Sequence, residues 1–170
     1  MFLIAQAFGI LSAIATILCV QARSSRGVLF GQILANGFSA LSYGLLGSFS
    51  GAWICFLGAI HSFIISLLGK GKVKNRKAWI QVISIVFALG YVAGSVVTYT
   101  RWPDAISSIC ALLFVLTIAQ EDASQMRNVM LVSMCLWVFF DLSVGAYTNI
   151  ITHASTIVSI ITAKMRLDKP

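Results

Sequence analysis

Seven apolar stretches, each about as long as a membrane-spanning helix and nearly free of charge, occupy most of this 170-residue chain. A helix needs about 20 largely apolar residues to cross a hydrocarbon core about 30 Å thick. Hydrophobic residues make up 59% of the chain, against roughly half in a soluble domain. The sequence therefore predicts an all-α integral membrane protein. Its predicted spans are residues 2–20, 28–46, 52–68, 78–98, 103–120, 128–144 and 147–163.

The link between the sixth and seventh stretches is the weakest boundary. It covers residues 145–149 and is short and polar without charge. A single re-entrant or broken helix is the alternative there. The length from Arg127 to Lys164 favours two short spans over one.

The basic residues indicate how the chain is oriented. With seven spans, eleven of the twelve lysines and arginines fall on one face, and Arg101 is opposite them. Basic residues near span ends are retained on the cytoplasmic side, so we expect the amino terminus outside and the carboxyl terminus inside. The eleven are Arg23, Arg26, Lys70, Lys72, Lys74, Arg76, Lys77, Arg127, Lys164, Arg166 and Lys169.

This placement also explains the net charge of +7. Basic groups on one membrane face lie near the anionic leaflet, so the charge indicates a lipid bilayer as partner and no nucleic acid. The four cysteines all fall within spans without a C-x-x-C pair, which indicates packing residues and neither a metal site nor disulfides. No catalytic or phosphate-binding motif is present, so we expect neither an enzyme nor a cofactor.

The chain also repeats itself. Shifting it by 101 positions without gaps aligns the first three spans with the last three. Chance explains many aliphatic matches, but less readily the Arg26/Arg127 match and the two L-S-x-G strings at 41–44 and 142–145. The predicted architecture is thus two parallel three-helix bundles joined by a linker helix. The units are residues 1–69 (first bundle), 70–101 (basic loop and linker) and 102–170 (second bundle and cytoplasmic tail).

Parallel repeats are related by an axis along the membrane normal, which leaves a central path between them. We expect a substrate site near mid-depth on that axis. In the linker span, Gly90 and Gly94 form a G-x-x-x-G face that favours close helix packing. Dimerisation through this face is a further expectation, so a homo-oligomer is among the predicted states.

This plan resembles the superfamily of SWEET sugar transporters, PQ-loop transporters and PnuC vitamin-precursor transporters. More narrowly, the second half resembles the bacterial inner-membrane YgjV family, through P-D at 103–104, M-R-N-V at 126–129, W-x-x-x-D at 137–141 and the basic tail at 164–166. The resemblance implies a bacterial inner (plasma) membrane location. The chain lacks a Pro-Gln pair in its first loop, and its only prolines are Pro103 and Pro170. The proline hinges of SWEET transporters therefore do not carry over.

Polar residues inside the spans are the candidate site. A charge at the bilayer centre costs roughly 2.5–3.5 kcal/mol on insertion scales, so Asp141 in the sixth span suggests a substrate or proton ligand. The alternatives are a carboxylate that snorkels outward or bonds a neighbouring helix. The 101-residue shift superposes Asn36 on Trp137. An indole face with an amide beside it is typical of a small-molecule pocket, although both residue types also join or pack helices.

The two histidines complete the list of candidates. His153 follows Asn149 by four residues, so both project from one face of the seventh helix and can join Asp141 in a polar cluster. His61 lies in the third span. A neutral interhelical hydrogen bond is the commoner role of a membrane histidine. Histidine titrates near pH 6.5, which makes a protonation role chemically feasible.

These features predict a membrane transporter, facilitative or ion-coupled, for a small polar molecule such as a sugar, nucleoside or vitamin precursor. Alternating access between the two repeats is the expected mechanism. The alternative is a non-transporting membrane scaffold or accessory subunit, which the lack of a strong substrate motif favours.

Overall fold

Backbone amides in lipid must find their hydrogen-bond partners within the chain, and an apolar helix does this with no help from neighbours. The computed structural model describes residues 2–68, 75–100, 102–144 and 147–167, and these form seven helices. They are α1 (Phe2–Val20), α2 (Ser25–Leu45), α3 (Phe49–Leu67), α4 (Arg76–Thr98), α5 (Pro103–Ala119), α6 (Ala123–Val144) and α7 (Tyr147–Leu167). The predicted number of helices is confirmed. The last two predicted spans are separate helices.

Five of these helices, α1, α2, α3, α4 and α6, are long and apolar enough to cross a membrane. The helix α5 is apolar but has 17 residues. Large apolar side chains point away from the protein along the outer surface, among them Leu3, Leu89 and Val97, which are 80%, 66% and 85% exposed. Such a surface suits a hydrocarbon environment and confirms the prediction of an all-helical membrane protein.

Consecutive helices pack against one another around a ring. The helix α2 contacts α1 and α3, and α6 contacts α5 and α7. The helix α4 lies against α3 and α5, while α1 also contacts α7. We call the end of the molecule where α1 begins the amino-terminal face. The opposite end, where Arg23, Arg26 and the start of α4 lie, is the basic face.

Small residues bring α1 and α2 unusually close. A methyl group added at Gly31 would lie 2.4 Å from Cys19 Cβ and 2.8 Å from Cys19 Cα. Along the same seam, Ser12 Oγ donates to the Ala35 carbonyl at 2.9 Å and Ser42 Oγ donates to the Ala5 carbonyl at 2.8 Å. Close approach with side-chain to backbone hydrogen bonds is how membrane helices associate without a hydrophobic driving force between them.

The basic half of the molecule is filled by apolar side chains. We call this cluster the basic-side core; its buried members are Cys19, Val20, Val28, Leu29, Ile65, Ile80, Ile118, Ala123, Met126, Met130 and Ile160. At its edge the buried Arg127 guanidinium donates to the Ala22 carbonyl at 3.0 Å. Arg26, which the sequence repeat pairs with Arg127, is exposed. The two arginines therefore occupy different environments.

Candidate functional site

A cavity of about 90 Å³ lies at the centre of the molecule, between α1, α2 and α3 on one side and α5, α6 and α7 on the other. Its polar lining consists mostly of side-chain hydroxyl and amide groups, and aromatic rings form part of the remaining lining. The lining residues are Gly9, Ser12, Thr16, Gln32, Ala35, Asn36, Ser39, Ser42, Tyr43, Ile54, Cys55, Cys110, Ala111, Phe114, Thr117, Met130, Ser133, Met134, Trp137, Asn149, Thr152 and His153. Polar groups that converge on one space lined also by apolar and aromatic side chains are typical of a ligand site.

Asn36 is held in place on the α2 wall. Its amide nitrogen donates to the Gln32 carbonyl at 2.9 Å and to the Gln32 side-chain oxygen at 3.0 Å. The absence of a side chain at Gly58 makes room for it, because a Cβ there would lie 3.1 Å from Asn36 Cγ. Gln32 in turn reaches across to Met130 of α6, with 3.6 Å between Nε2 and Sδ.

Trp137 and His153 form the facing wall, and Asp141 lies behind His153. The Trp137 and His153 rings stack, with centroids 5.8 Å apart and planes at 25°. His153 Nδ1 lies 2.7 Å from Asp141 Oδ2. Asp141 is completely buried, whereas the His153 side chain keeps 16% of its surface exposed. The histidine therefore separates the carboxylate from the cavity.

Asn149 and Tyr43 close the cavity toward the amino-terminal face. The Asn149 amide donates to the Tyr43 hydroxyl at 2.7 Å. Both side chains also line a second cavity of about 550 Å³, which we call the vestibule. Its other lining residues are Leu46, Gly47, Ser48, Phe49, Ser50, Thr98, Thr100, Asp104 and Phe140, from helix ends at the amino-terminal face. One hydrogen bond thus lies between the vestibule and the central cavity.

His61 lies apart from the other candidates. It is fully buried, its ring stacks on Phe87 with centroids 4.4 Å apart, and Phe114 approaches it edge-on. Neither ring nitrogen has a hydrogen-bond partner within the described part of the chain. The structure thus brings Asn36, Trp137, Asn149 and His153 to the cavity and Asp141 behind His153, and it leaves His61 between α3, α4 and α5.

Several lining residues escaped the sequence analysis. Tyr43 lies near a predicted span end and was not among the candidates, but it is only 9% exposed and lines the cavity. The spacing of polar residues in the second span predicts this position, because one face of α2 carries Gln32, Asn36, Ser39 and Tyr43. Asp104 was also missed. It is buried in the vestibule wall, where Oδ2 accepts from the Thr100 amide and hydroxyl, both at 2.9 Å.

The described residues contain no group of three histidine, cysteine or acidic side chains that could hold a metal ion. Comparison with known proteins gives one family. The model of the Imp-YgjV family, described as a bacterial inner membrane protein, matches residues 3–170. No curated protein and no solved structure matches the chain.

Proposed function

This chain belongs to the Imp-YgjV family of bacterial inner membrane proteins, and we propose that it transports a small polar molecule across that membrane. The observation that carries the proposal is the polar cavity between two groups of helices, with hydrogen bonds joining the groups on either side of it. A structural membrane protein has no need of a row of hydroxyls and amides around an internal space, since burying polar groups is costly.

We further propose that the two groups are parallel repeats joined by α4, as in the SWEET, PQ-loop and PnuC superfamily. In four pairs of positions related by the 101-residue shift, both members line the cavity, which supports this arrangement. These pairs are Gly9/Cys110, Thr16/Thr117, Gln32/Ser133 and Asn36/Trp137. A cavity built from corresponding positions of two repeats lies on the axis between them, where a transport path runs.

Alternating access needs closures that open in turn. At the amino-terminal face, the Tyr43–Asn149 bond links α2 to α7. Toward the basic face, Gln21 Nε2 donates to the Ser159 carbonyl at 3.0 Å and to the Ser159 hydroxyl at 2.9 Å, linking the residue after α1 to α7. Each such bond contributes about 0.5–1.5 kcal/mol net. Rocking of one group against the other can break one closure while the other persists.

The lining favours an uncharged solute. No lysine or arginine is among the described residues that line the cavity, and Asp141 is already paired with His153. Asn36 offers its amide oxygen as an acceptor on one wall, and Trp137 offers a ring face on the other. A sugar, a nucleoside or an uncharged vitamin precursor combines hydroxyl or amide groups with a flat surface in this way.

Uptake into proteoliposomes tests the proposal. Purified protein would be reconstituted and supplied with radiolabelled glucose, uridine or nicotinamide. We expect protein-dependent uptake of at least one compound, strongly reduced by Asn36→Ala. The matched control is Asn128→Ala, because Asn128 is an exposed asparagine outside the cavity lining.

Equal uptake in protein-containing and empty vesicles across the panel would overturn transport. Uptake that Asn36→Ala and Asn128→Ala reduce alike would overturn the assignment of Asn36 to the solute site. A partner that co-purifies in stoichiometric amount with protein lacking uptake would favour the alternative, a membrane scaffold or accessory subunit.

A further inference from the structure

We infer that His153 and Asp141 form a proton-binding site in the cavity wall, and that a proton therefore moves with the solute. The second half of this inference rests on the proposed transport function. The first half does not, because a proton site is defined by the pair itself.

The hydrogen bond between the two residues is compatible with both charge states of the ring. When the neutral ring carries its hydrogen at Nδ1, this N–H donates to Asp141 Oδ2 across the 2.7 Å between the two atoms. A proton then adds at Nε2, and the Nδ1 hydrogen bond is unchanged. Since the histidine is the member exposed to the cavity and the carboxylate is enclosed behind it, exchange takes place at the histidine. No rearrangement of the helices is needed for the site to gain or lose a proton.

The described neighbours of the pair supply no cation. Among the described residues, the other titratable side chains that interact with Asp141 are Tyr43 from α2, Cys55 from α3 and Cys110 from α5. Tyrosine and cysteine ordinarily ionise only above about pH 8. The helix α1 brings Ser12 and Thr16 hydroxyls to the lining and no titratable group.

The charge of the pair indicates which protonation state favours closure of the cavity around a solute. With the ring neutral, the pair carries the single negative charge of Asp141, and no described lysine or arginine of the cavity lining offsets it. Uptake of one proton makes the pair neutral overall. An uncompensated charge in a poorly solvated site is costly, so a neutral pair favours closure around a solute.

Stacking connects the proton to the solute platform. His153 lies against Trp137, the ring proposed to contact the solute. A change in charge on His153 therefore alters the face that Trp137 presents, because a cation is attracted to an indole face. Solute and proton thus meet in one cavity, at adjacent rings.

The same stacking supplies a test that needs no substrate. In a parent variant with Trp53→Phe, Trp79→Phe and Trp102→Phe, Trp137 is the remaining tryptophan. Its emission would be measured in lipid nanodiscs across about pH 5 to 8, the range in which histidine titrates. We expect lower emission at acidic pH, because a stacked imidazolium quenches indole fluorescence. The change should be lost in His153→Gln, because the glutamine amide can hydrogen-bond but has no titratable group.

An emission that is constant with pH in the parent, or a pH-dependent change that persists in His153→Gln, would overturn the proton site. Coupling is tested with any compound that passes the uptake assay, in vesicles containing a trapped pH dye. We expect a gradient of that compound to move protons in wild type and not in His153→Gln. Wild-type uptake without proton movement would overturn coupling alone. Failure of every compound in the panel counts against the transport proposal, and the fluorescence titration still decides the proton site.

Discussion

Asp141 is fully buried and bonds His153, so its replacement separates a structural role from a functional one. We expect Asp141→Asn to leave expression and melting temperature close to wild type. Asparagine keeps the size and one oxygen acceptor for the His153 Nδ1–H group while removing the charge. Uptake, or stabilisation by solute, should be reduced. Vesicle assays measure uptake, and thermal melting with and without the compound measures the stability of the protein and its stabilisation by the solute. A large loss of stability without a solute-specific defect would identify a structural carboxylate.

Tyr43 offers a second test at the residue scale. Replacing Tyr43 with Phe keeps the ring and removes the hydroxyl that accepts from Asn149. A hydrogen bond contributes about 0.5–1.5 kcal/mol net, so its loss should raise the population of molecules whose cavity is open toward the vestibule about two- to ten-fold. The native cysteine thiols can detect this opening, because Cys55 and Cys110 line the cavity. Their labelling by a soluble maleimide, followed by peptide mass spectrometry, should accelerate by that factor.

Internal references make this measurement specific. Cys19 lies in the basic-side core and Cys135 is exposed, so the labelling rates of both should be unchanged. Tyr99→Phe, at an exposed tyrosine near the end of α4, is the matched control. Equal labelling of Cys55 in wild type and Tyr43→Phe would show that the hydrogen bond does not limit access.

At the scale of elements, the α1–α2 seam depends on one glycine. We expect Gly31→Ala to destabilise the protein by about 1–3 kcal/mol, because the new methyl group meets the Cys19 backbone, which cannot swing aside. Gly37→Ala, on the same helix with no atom within 4 Å of the added Cβ, should be neutral or slightly stabilising. Thermal unfolding in detergent compares the two. Equal melting temperatures would contradict the tight seam.

Helix ends show what a search for apolar runs misses. The sequence predicts the second span from residue 28, but α2 begins at Ser25, with Ser24 as its N-cap. The sixth begins five residues earlier than predicted, at Ala123, and the seventh extends to Leu167 instead of 163. Helices continue into the interface, where charged residues such as Arg26, Arg127 and Lys164 remain helical. Hydropathy detects the hydrocarbon core, while backbone hydrogen bonding determines the helix end.

The orientation of the whole molecule is also testable. We expect residues 70–77 to be cytoplasmic, because eleven of the twelve basic residues fall on that side. Residues 69–74 lie outside the part of the chain that the structure describes. A cysteine introduced at Lys72 in a cysteine-free background should react with an impermeant reagent only after the cells are broken. Reaction in intact cells would reverse the predicted orientation.

The candidate site was only partly predictable. Four of six candidates line the cavity, and Asp141 bonds one of them. The exception, His61, has the same polar character in an apolar run, yet its ring packs between Phe87 and Phe114. Composition identifies a polar side chain in a span. It does not give the direction in which that side chain points relative to the neighbouring helices.

The sequence by itself determined the number of helices, their membrane character and the asymmetry of charge. These depend on local quantities, since apolar length and basic loops act through the solvent around each segment. Only the tertiary structure decided that Tyr43 meets Asn149, that His153 covers Asp141 and that Gln32 reaches Met130 across the cavity. Those contacts depend on the rotation and spacing of packed helices. Many distant small residues set these jointly, such as Gly31 against Cys19.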